Sequence, residues 1–264
     1  MRSPGIALLF IMIHLSGFCQ HGTFNGNPCG SMDSSWFDPL NTTENPAVLN
    51  NINSIQLGVY AGRFKDVKGL NFMSAAFAVP IKKLVAALVL HNTGSYGYQQ
   101  TDLNLLLAKD LEVVSLGVAA HSKFISVQSI GGYNSISVGI GLNKTSGQLC
   151  FGFSVSGLTV SKEKGIGGAG HSSKISSQCL YKASNVVSIG VLGSKESGQP
   201  VSIQPAIFYR AGVLNFSMGF DTLRNSLFIK TGWIFKSYEV KMMLGYQATL
   251  GLSNGAELLY KQIK

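Results

Sequence analysis

The sequence predicts an all-β protein: a transmembrane antiparallel β-barrel of about 14 strands with a short N-terminal plug segment. Three observations point there. Apolar residues alternate with period two in short segments from about Asn53 to the end, the pattern of half-buried strands. The links between segments alternate between long and short, as they do where outer loops exceed periplasmic turns. The apolar faces of these segments carry no charged side chain.

Composition sets the frame. Of the 264 residues, 12% are charged and 45% hydrophobic, and the mean hydropathy is +0.23; an average soluble domain is about 25% charged. No internal run reaches the roughly 18 apolar residues of a spanning helix, so the apolar content is dispersed. The net charge is +9, but Lys and Arg are scattered and no basic run is longer than Lys82-Lys83. With no binding motif in an exported chain, nucleic acid is not an expected partner.

Residues 1–19 read as a secretory signal peptide. Arg2 supplies the basic region, Ile6 to Ile13 the apolar run, and Gly17-Phe18-Cys19 the small residues before a cut. A lipoprotein signal, with Leu15-Ser16-Gly17 ahead of Cys19, is the weaker reading because Phe18 stands directly before the cysteine. Cleavage leaves Cys29, Cys150 and Cys179. An odd number excludes a full disulfide framework, and no pair has metal-ligand spacing. Residues 20–52 are turn-forming at Gly26-Asn27-Pro28-Cys29-Gly30 and polar and Pro-rich from Asp38 to Ala47. They form an N-terminal plug or periplasmic segment, the available filler for a wide barrel. Residues 53–264 form the barrel.

The strands follow in order. Ile55, Leu57 and Val59 open the series, then Met73, Ala75, Phe77 and Val79. Lys83 to Leu90 is apolar on both faces, so its orientation stays ambiguous. Leu103, Leu105 and Leu107 come next, then Val114, Leu116, Val118 and Ala120. Ile136, Val138, Ile140 and Leu142 form one face of the sixth strand, with Ser135, Ser137, Gly139 and Gly141 on the other. Leu149, Phe151, Phe153 and Val155 follow, then a weak segment from Lys174 to Lys182, then Val187, Ile189 and Val191. Val201, Ile203, Pro205, Ile207 and Tyr209 share a face on which Pro205 removes a ladder donor, so a bulge or local break is expected there. Leu214 to Phe220, Leu227 to Phe235, Tyr238 to Tyr246 and Ala256 to Tyr260 complete the count. The long links are expected at 65–69, 91–100, 122–133, 157–173 and 194–199.

The faces decide between lipid and water outside the barrel. A charge facing lipid at mid-depth costs roughly 2–4 kcal/mol. Strand charges sit instead on the faces opposite the apolar ones: Asp102, His121, Arg210, Asp221, Lys230, Glu239, Lys241, Glu257 and Lys261. A soluble barrel would turn the nearly uncharged Ser/Gly face of residues 135–141 to solvent, which is poor for solubility. Inside a barrel those small residues leave space for a plug or ligand. Tyr209, Trp233, Phe235, Tyr238, Tyr246 and Tyr260 gather near strand ends, where a membrane interface favours rings with a wet tip; strand propensity alone also favours them.

Chemistry is sparse. There is no Gly-x-Ser-x-Gly elbow, His-Glu-x-x-His zinc motif or Walker loop. The five His residues are spread, and the glycines of 165–170 read as a flexible outer loop. No catalytic residue, cofactor or metal is expected, and the protein is read as a non-enzyme. The candidate site residues are the plug motif Asn45, Pro46 and Ala47, and an inward set of Arg210, Asp221, Lys230, Glu239, Lys241 and Glu257. That set is either a lumenal ion-pair network bracing neighbouring strands or a selectivity lining.

Glu44-Asn45-Pro46-Ala47-Val48-Leu49 stands just ahead of the first strand, and Ser115-Leu116-Gly117-Val118 falls within the fifth. The tenth ends in Phe208-Tyr209-Arg210, and Leu250-Gly251-Leu252-Ser253-Asn254-Gly255 forms the closing turn. In these elements the chain resembles the PorV/PorQ group of outer-membrane barrels from Bacteroidetes, relatives of the FadL fatty-acid transporters. The resemblance implies a fourteen-stranded barrel in outer-membrane lipid, with an N-terminal plug and an accessory role in type IX protein secretion. The expected partners are then secreted cargo proteins or secretion-system components. The chain departs from that group in its shorter length and in ending Tyr260-Lys261-Gln262-Ile263-Lys264, without a terminal aromatic. Passive FadL-like passage of small hydrophobic solutes and a purely structural barrel are the alternative roles.

Overall fold

The computed structural model describes residues 42–129, 131–162 and 172–262. The signal segment, residues 20–41 of the plug segment with Cys29, and the glycine cluster 165–170 with His171 lie outside the described residues.

The strands are β1 (Gln56–Phe64), β2 (Asn71–Ile81), β3 (Leu84–Ser95), β4 (Tyr98–Asp110) and β5 (Ser115–Val127). They continue as β6 (Gly131–Ser146), β7 (Leu149–Lys162), β8 (Lys174–Lys182), β9 (Val187–Glu196) and β10 (Val201–Ala211). The last four are β11 (Leu214–Asp221), β12 (Ser226–Phe235), β13 (Tyr238–Gln247) and β14 (Gly251–Lys261). Each pairs antiparallel with its sequence neighbour, and β1 pairs with β14, closing a barrel of 14 strands. Closure leaves no unpaired sheet edge. A 3-10 helix, Pro46–Asn51, precedes β1. No helix among the described residues is long and apolar enough to cross a membrane.

Aliphatic side chains point out and small or polar ones point in. Leu105, Phe153, Ile203 and Leu244 are 56%, 45%, 48% and 57% exposed, while Asn104, Ser154, Ser202 and Met243 beside them are buried. Such an apolar exterior is unfavourable in water and stable in hydrocarbon, the arrangement of a membrane barrel. The ambiguous third segment follows the same parity. Leu84, Leu88 and Leu90 face out, and Val85, Ala87 and Val89 are buried inside.

The two ends differ. At the lower end, β1 begins and β14 finishes, and the links are residues 82–83, 111–114, 147–148, 183–186, 212–213 and 236–237. Tyr209, Trp233, Phe235, Tyr238 and Tyr260 cluster at this end, with the rings of Tyr238 and Tyr260 5.3 Å apart. The upper end holds the links 65–70, 96–97, 128–130, 163–173, 197–200, 222–225 and 248–250.

Two links expected to be long are short. β3 and β4 run to Ser95 and from Tyr98, and β5 and β6 run to Val127 and from Gly131, so most of 91–100 and 122–133 is strand. The pattern fades there because the outer face also turns polar: Asn92, Gly94, Gln99 and Thr101 share it with the aliphatics below. Strand that rises above the lipid needs no apolar row, so the alternation disappears while the ladder continues.

At Pro205 the β9–β10 register runs through without a shift, Pro205 opposite Val191. The ladder to β11 starts only at Ala206 opposite Gly219. Beyond it, Ile203 accepts from the Thr222 N–H and donates its own N–H to Thr222 Oγ1. The missing donor therefore ends pairing on one side only. True register shifts occur on β6–β7, between Ile136 and Ser137 and between Val138 and Ile140.

Candidate functional site

The small face of β5–β7 is a seat. Gly117, Gly141 and Gly152 lie on the lumenal side of three adjacent strands. A Cβ at Gly117 would collide with the backbone of Pro46 and Ala47, and one at Gly141 with Asn45 Oδ1 and, at 2.9 Å, with Pro46 Cδ. One at Gly152 would lie 2.8 Å from Asn45 Nδ2 and 2.7 Å from Gln178 Cγ. Only glycine lets the backbone of another segment approach so closely.

Asn45 fixes the seated segment twice. Its Oδ1 accepts from the Ala47 N–H at 3.1 Å, capping the 3-10 helix, and its Nδ2 donates to the Leu142 carbonyl at 3.0 Å. Asn50 Nδ2 donates to Ser115 Oγ at 3.1 Å. Pro46 opens the helix, where a missing N–H is harmless. Leu49 and Ile52 pack with Ala76, Val85, Val89, Leu106 and Ala119 on one wall. Val48 packs with Cys150, Leu180 and Leu192 on the other. Cys150 is thus lumenal, whereas Cys179 lies on the outward face of β8, and no disulfide joins them.

A buried ion pair joins this segment to the wall: Lys174 Nζ lies 2.5 Å from Glu44 Oε2. Neither residue was a candidate site residue from the sequence. Lys174 begins a strand with little apolar pattern, Glu44 sits in a polar stretch, and 130 positions separate them.

The six inward charges do not form one group. Lys241 lies 3.7 Å from Glu239 and 3.5 Å from Glu257, the latter directly opposite it on β14. Asn215 Nδ2 donates to Glu239 Oε1 at 2.8 Å. Lys230, buried on β12, stands opposite Ser217 and Met243. Arg210 is exposed near the lower end of β10. Asp221 is at the other end, where it accepts from Ser202 Oγ and Gln204 Nε2, both at 2.9 Å, and from the Leu223 and Arg224 N–H groups of its turn. It holds the β11–β12 turn instead of bracing the lower lumen.

A second polar band was only partly marked by the sequence. His91 stands opposite Asp102, which stands opposite Lys123, all facing the lumen of β3–β5. Ser74 Oγ bonds His91 Nδ1 at 2.7 Å, His121 Nδ1 bonds Asn104 Oδ1 at 2.6 Å, and Gln100 Nε2 donates to Asp102 at 2.7 Å. Parity alone flagged Asp102 and His121; Lys123 lay in a stretch read as loop.

The upper lumen is apolar. Tyr60, Phe64, Leu70, Phe72, Tyr98, Ile125, Tyr133, Phe228, Met243 and Leu250 form one buried cluster. Phe72 lies at its centre, stacked on Tyr60 at 5.3 Å and edge-on to Phe64 at 5.6 Å. The sequence reading did not single these residues out: Tyr98, Ile125 and Tyr133 fell in stretches expected to be links, and nothing in the others showed that they meet across the barrel. No group of three or more His, Cys, Asp or Glu side chains able to hold a metal occurs among the described residues.

No family model and no curated protein matches the chain by sequence. Solved structures do match its fold. A chain described as CymD monoaromatic hydrocarbon channel aligns over 88% of this chain and 95% of its own, with a TM-score of 0.63 and 11% identity. A mutant of Rh. blastica porin aligns over 80% of this chain and 99% of its own, with a TM-score of 0.50 and 7% identity. At these identities the likeness is one of fold: a closed, fourteen-stranded antiparallel barrel of the kind found in outer-membrane channels.

Proposed function

We propose that the chain resides in the bacterial outer membrane as a non-catalytic barrel that admits small apolar solutes into a plugged lumen. One observation carries this: the buried aromatic and aliphatic cluster around Phe72 in the upper lumen. The interior of a water-filled barrel is polar, and a lumen lined by apolar side chains favours a solute that shares their preference over water. Ligand sites are concave, mostly apolar and oriented by a few polar groups; His91, Asp102, His121 and Lys123 supply these on neighbouring strands. The hydrocarbon channel with which the chain shares its fold gives the solute class to try first. The signal peptide expected at residues 1–19 accords with this location.

The test is uptake of radiolabelled toluene and of a labelled disaccharide by cells expressing the chain, with and without Phe72→Asp. Toluene entry above the vector control, lost in the variant, supports the reading. Disaccharide entry without toluene entry, or toluene entry indifferent to Phe72→Asp, overturns it. The secretion role rests on the resemblance to the PorV/PorQ group. It would be supported by recovery of secreted proteins or secretion-system components with the barrel from native membranes, lost when the upper links are trimmed. The two-residue link at 96–97 gives such partners little surface on that side.

A further inference from the structure

The outer wall carries a depression that the lumen does not explain. It spans β12, β13, β14, β1 and β2 and has a volume of about 650 Å³. Its floor is made by small residues, Ala61 and Ala256 with Gly62 and Gly255 beside them, and its sides by Ile229, Met242 and Leu244. Neighbouring outward positions carry long side chains such as Met73 and Leu258, both exposed, so the small ones leave a groove.

Its upper rim is polar. Arg63 projects outward between Asn254 on β14 and Asn71 on β2, directly opposite both, and all three line the groove. Asn254 Oδ1 is buried and has no hydrogen-bond partner among the described residues. No carboxylate lines the depression. Tyr246, on the same face of β13, is two residues above Leu244, which pairs with Asn254. The guanidinium therefore sits at the upper margin of the apolar belt, where a charge costs little and meets lipid headgroups.

We propose that this groove is a binding site for a phosphorylated membrane lipid, with an acyl chain along Ala61 and Ala256 and the phosphate on Arg63. An apolar trough beneath a cation and two amides complements such a molecule. Guanidinium binds phosphate through two parallel charge-assisted hydrogen bonds. The exposed Asn71 amide, whose Nδ2 also donates to the Gly69 carbonyl at 3.3 Å, stands beside Arg63 to meet the hydroxyl, ester or amide groups next to a lipid phosphate. A zwitterionic lipid offers the same chain but places a competing cation near Arg63. The proposal rests on the wall facing lipid and is independent of which solute enters the lumen.

The test is native mass spectrometry of the full chain from mild detergent, titrated with phosphatidylglycerol, phosphatidylcholine and inorganic phosphate. The expected result is preferential retention of phosphatidylglycerol, by about tenfold over phosphatidylcholine. Arg63→Gln brings the two lipids to parity, and Ala256→Leu, which fills the trough and spares the arginine, weakens both. Heat-modifiable gel mobility checks that each variant is folded. Equal retention of the two lipids by the native chain, unchanged preference in Arg63→Gln, or displacement of the lipid by millimolar phosphate overturns the proposal. Absence of toluene uptake by the native chain, with its lipid preference intact, would strike the solute reading alone.

Discussion

Asn45 and Gly141 occupy adjoining space: the carboxamide oxygen of the first fills the position a side chain on the second would need. A strand normally gains from a β-branched or larger residue, by up to about 1 kcal/mol. β6 forgoes that at Gly141 and lets the 3-10 helix dock. Gly141→Ala should therefore destabilise the barrel by about 1–3 kcal/mol, the range for overpacking a filled site. Asn45→Gly should cost a few tenths of a kcal/mol through the lost cap and about 1 kcal/mol through the lost bond to the Leu142 carbonyl, but should remove most of the penalty at residue 141, leaving the contact with Pro46 Cδ. A double-mutant cycle in urea, read by heat-modifiable mobility, checks the sign. Additive effects would mean that the two residues do not share the space.

Glu44 and Lys174 make the ion pair that ties the plug to β8, and both side chains are nearly buried. Removing one partner of a buried pair strands the other charge and costs roughly 3–5 kcal/mol, whereas replacing both with apolar groups is often close to neutral. Lys174→Met alone should lower the unfolding midpoint sharply, and Lys174→Met with Glu44→Leu should recover most of the loss. If the seated plug blocks the lumen, the single variant should also raise conductance in planar bilayers, since one tether of the segment is gone. A double variant as unstable as the single one would show that the pair does more than neutralise itself.

How far the molecule could be read from its sequence depends on which solvent each residue meets. The outward rows were legible because hydrocarbon excludes charge: Leu103, Leu105 and Leu107, or Val240, Met242 and Leu244, stand out against polar neighbours. The same rule fails above the lipid, where water on both faces erases the alternation, so Asn92 to Ser95 and Lys123 to Val127 passed for loop. Inside the barrel the only guides are parity and residue size. Ser135, Ser137, Gly139 and Gly141 announced space but not what fills it, and Gly117 and Gly152 belong to the same seat by way of strand register alone. The Glu44–Lys174 pair left no local trace, since nothing in either segment constrains the other until the barrel closes. Charge parity put Asp221 among the inward carboxylates. Its turn-holding role depends on Ser202 and Gln204 of the neighbouring strand.

Lys241 stands between two carboxylates, 3.7 Å from Glu239 and 3.5 Å from Glu257. Lys241→Met removes the cation that both buried carboxylates share. The expected cost at neutral pH is roughly 3–5 kcal/mol, that of breaking a buried pair. Adding Glu239→Gln to Lys241→Met should recover part of the stability, because one of the two carboxylates is then neutral. Urea unfolding of the single and double variants measures this. A deficit that Glu239→Gln leaves unchanged would assign the loss to packing of the lysine stem.

The position of the lipid boundary on β4 follows from two residues on one face. Leu105 is 56% exposed within the aliphatic row, and Gln99 lies on the same face six residues higher, beyond Thr101. An arginine at mid-depth on a lipid-facing wall costs roughly 2–4 kcal/mol, falling to about 0–1 near the interface. Leu105→Arg should therefore destabilise the barrel in phospholipid vesicles by the larger amount, and Gln99→Arg should leave it within about 1 kcal/mol of the native chain. The two substitutions introduce the same side chain on the same strand, so differences in strand propensity and in long-range charge largely cancel. The measurement is equilibrium urea unfolding into vesicles, read by tryptophan fluorescence. Equal penalties at the two sites would place both in one environment, and the extension of β3 to β6 above the membrane would have to be abandoned.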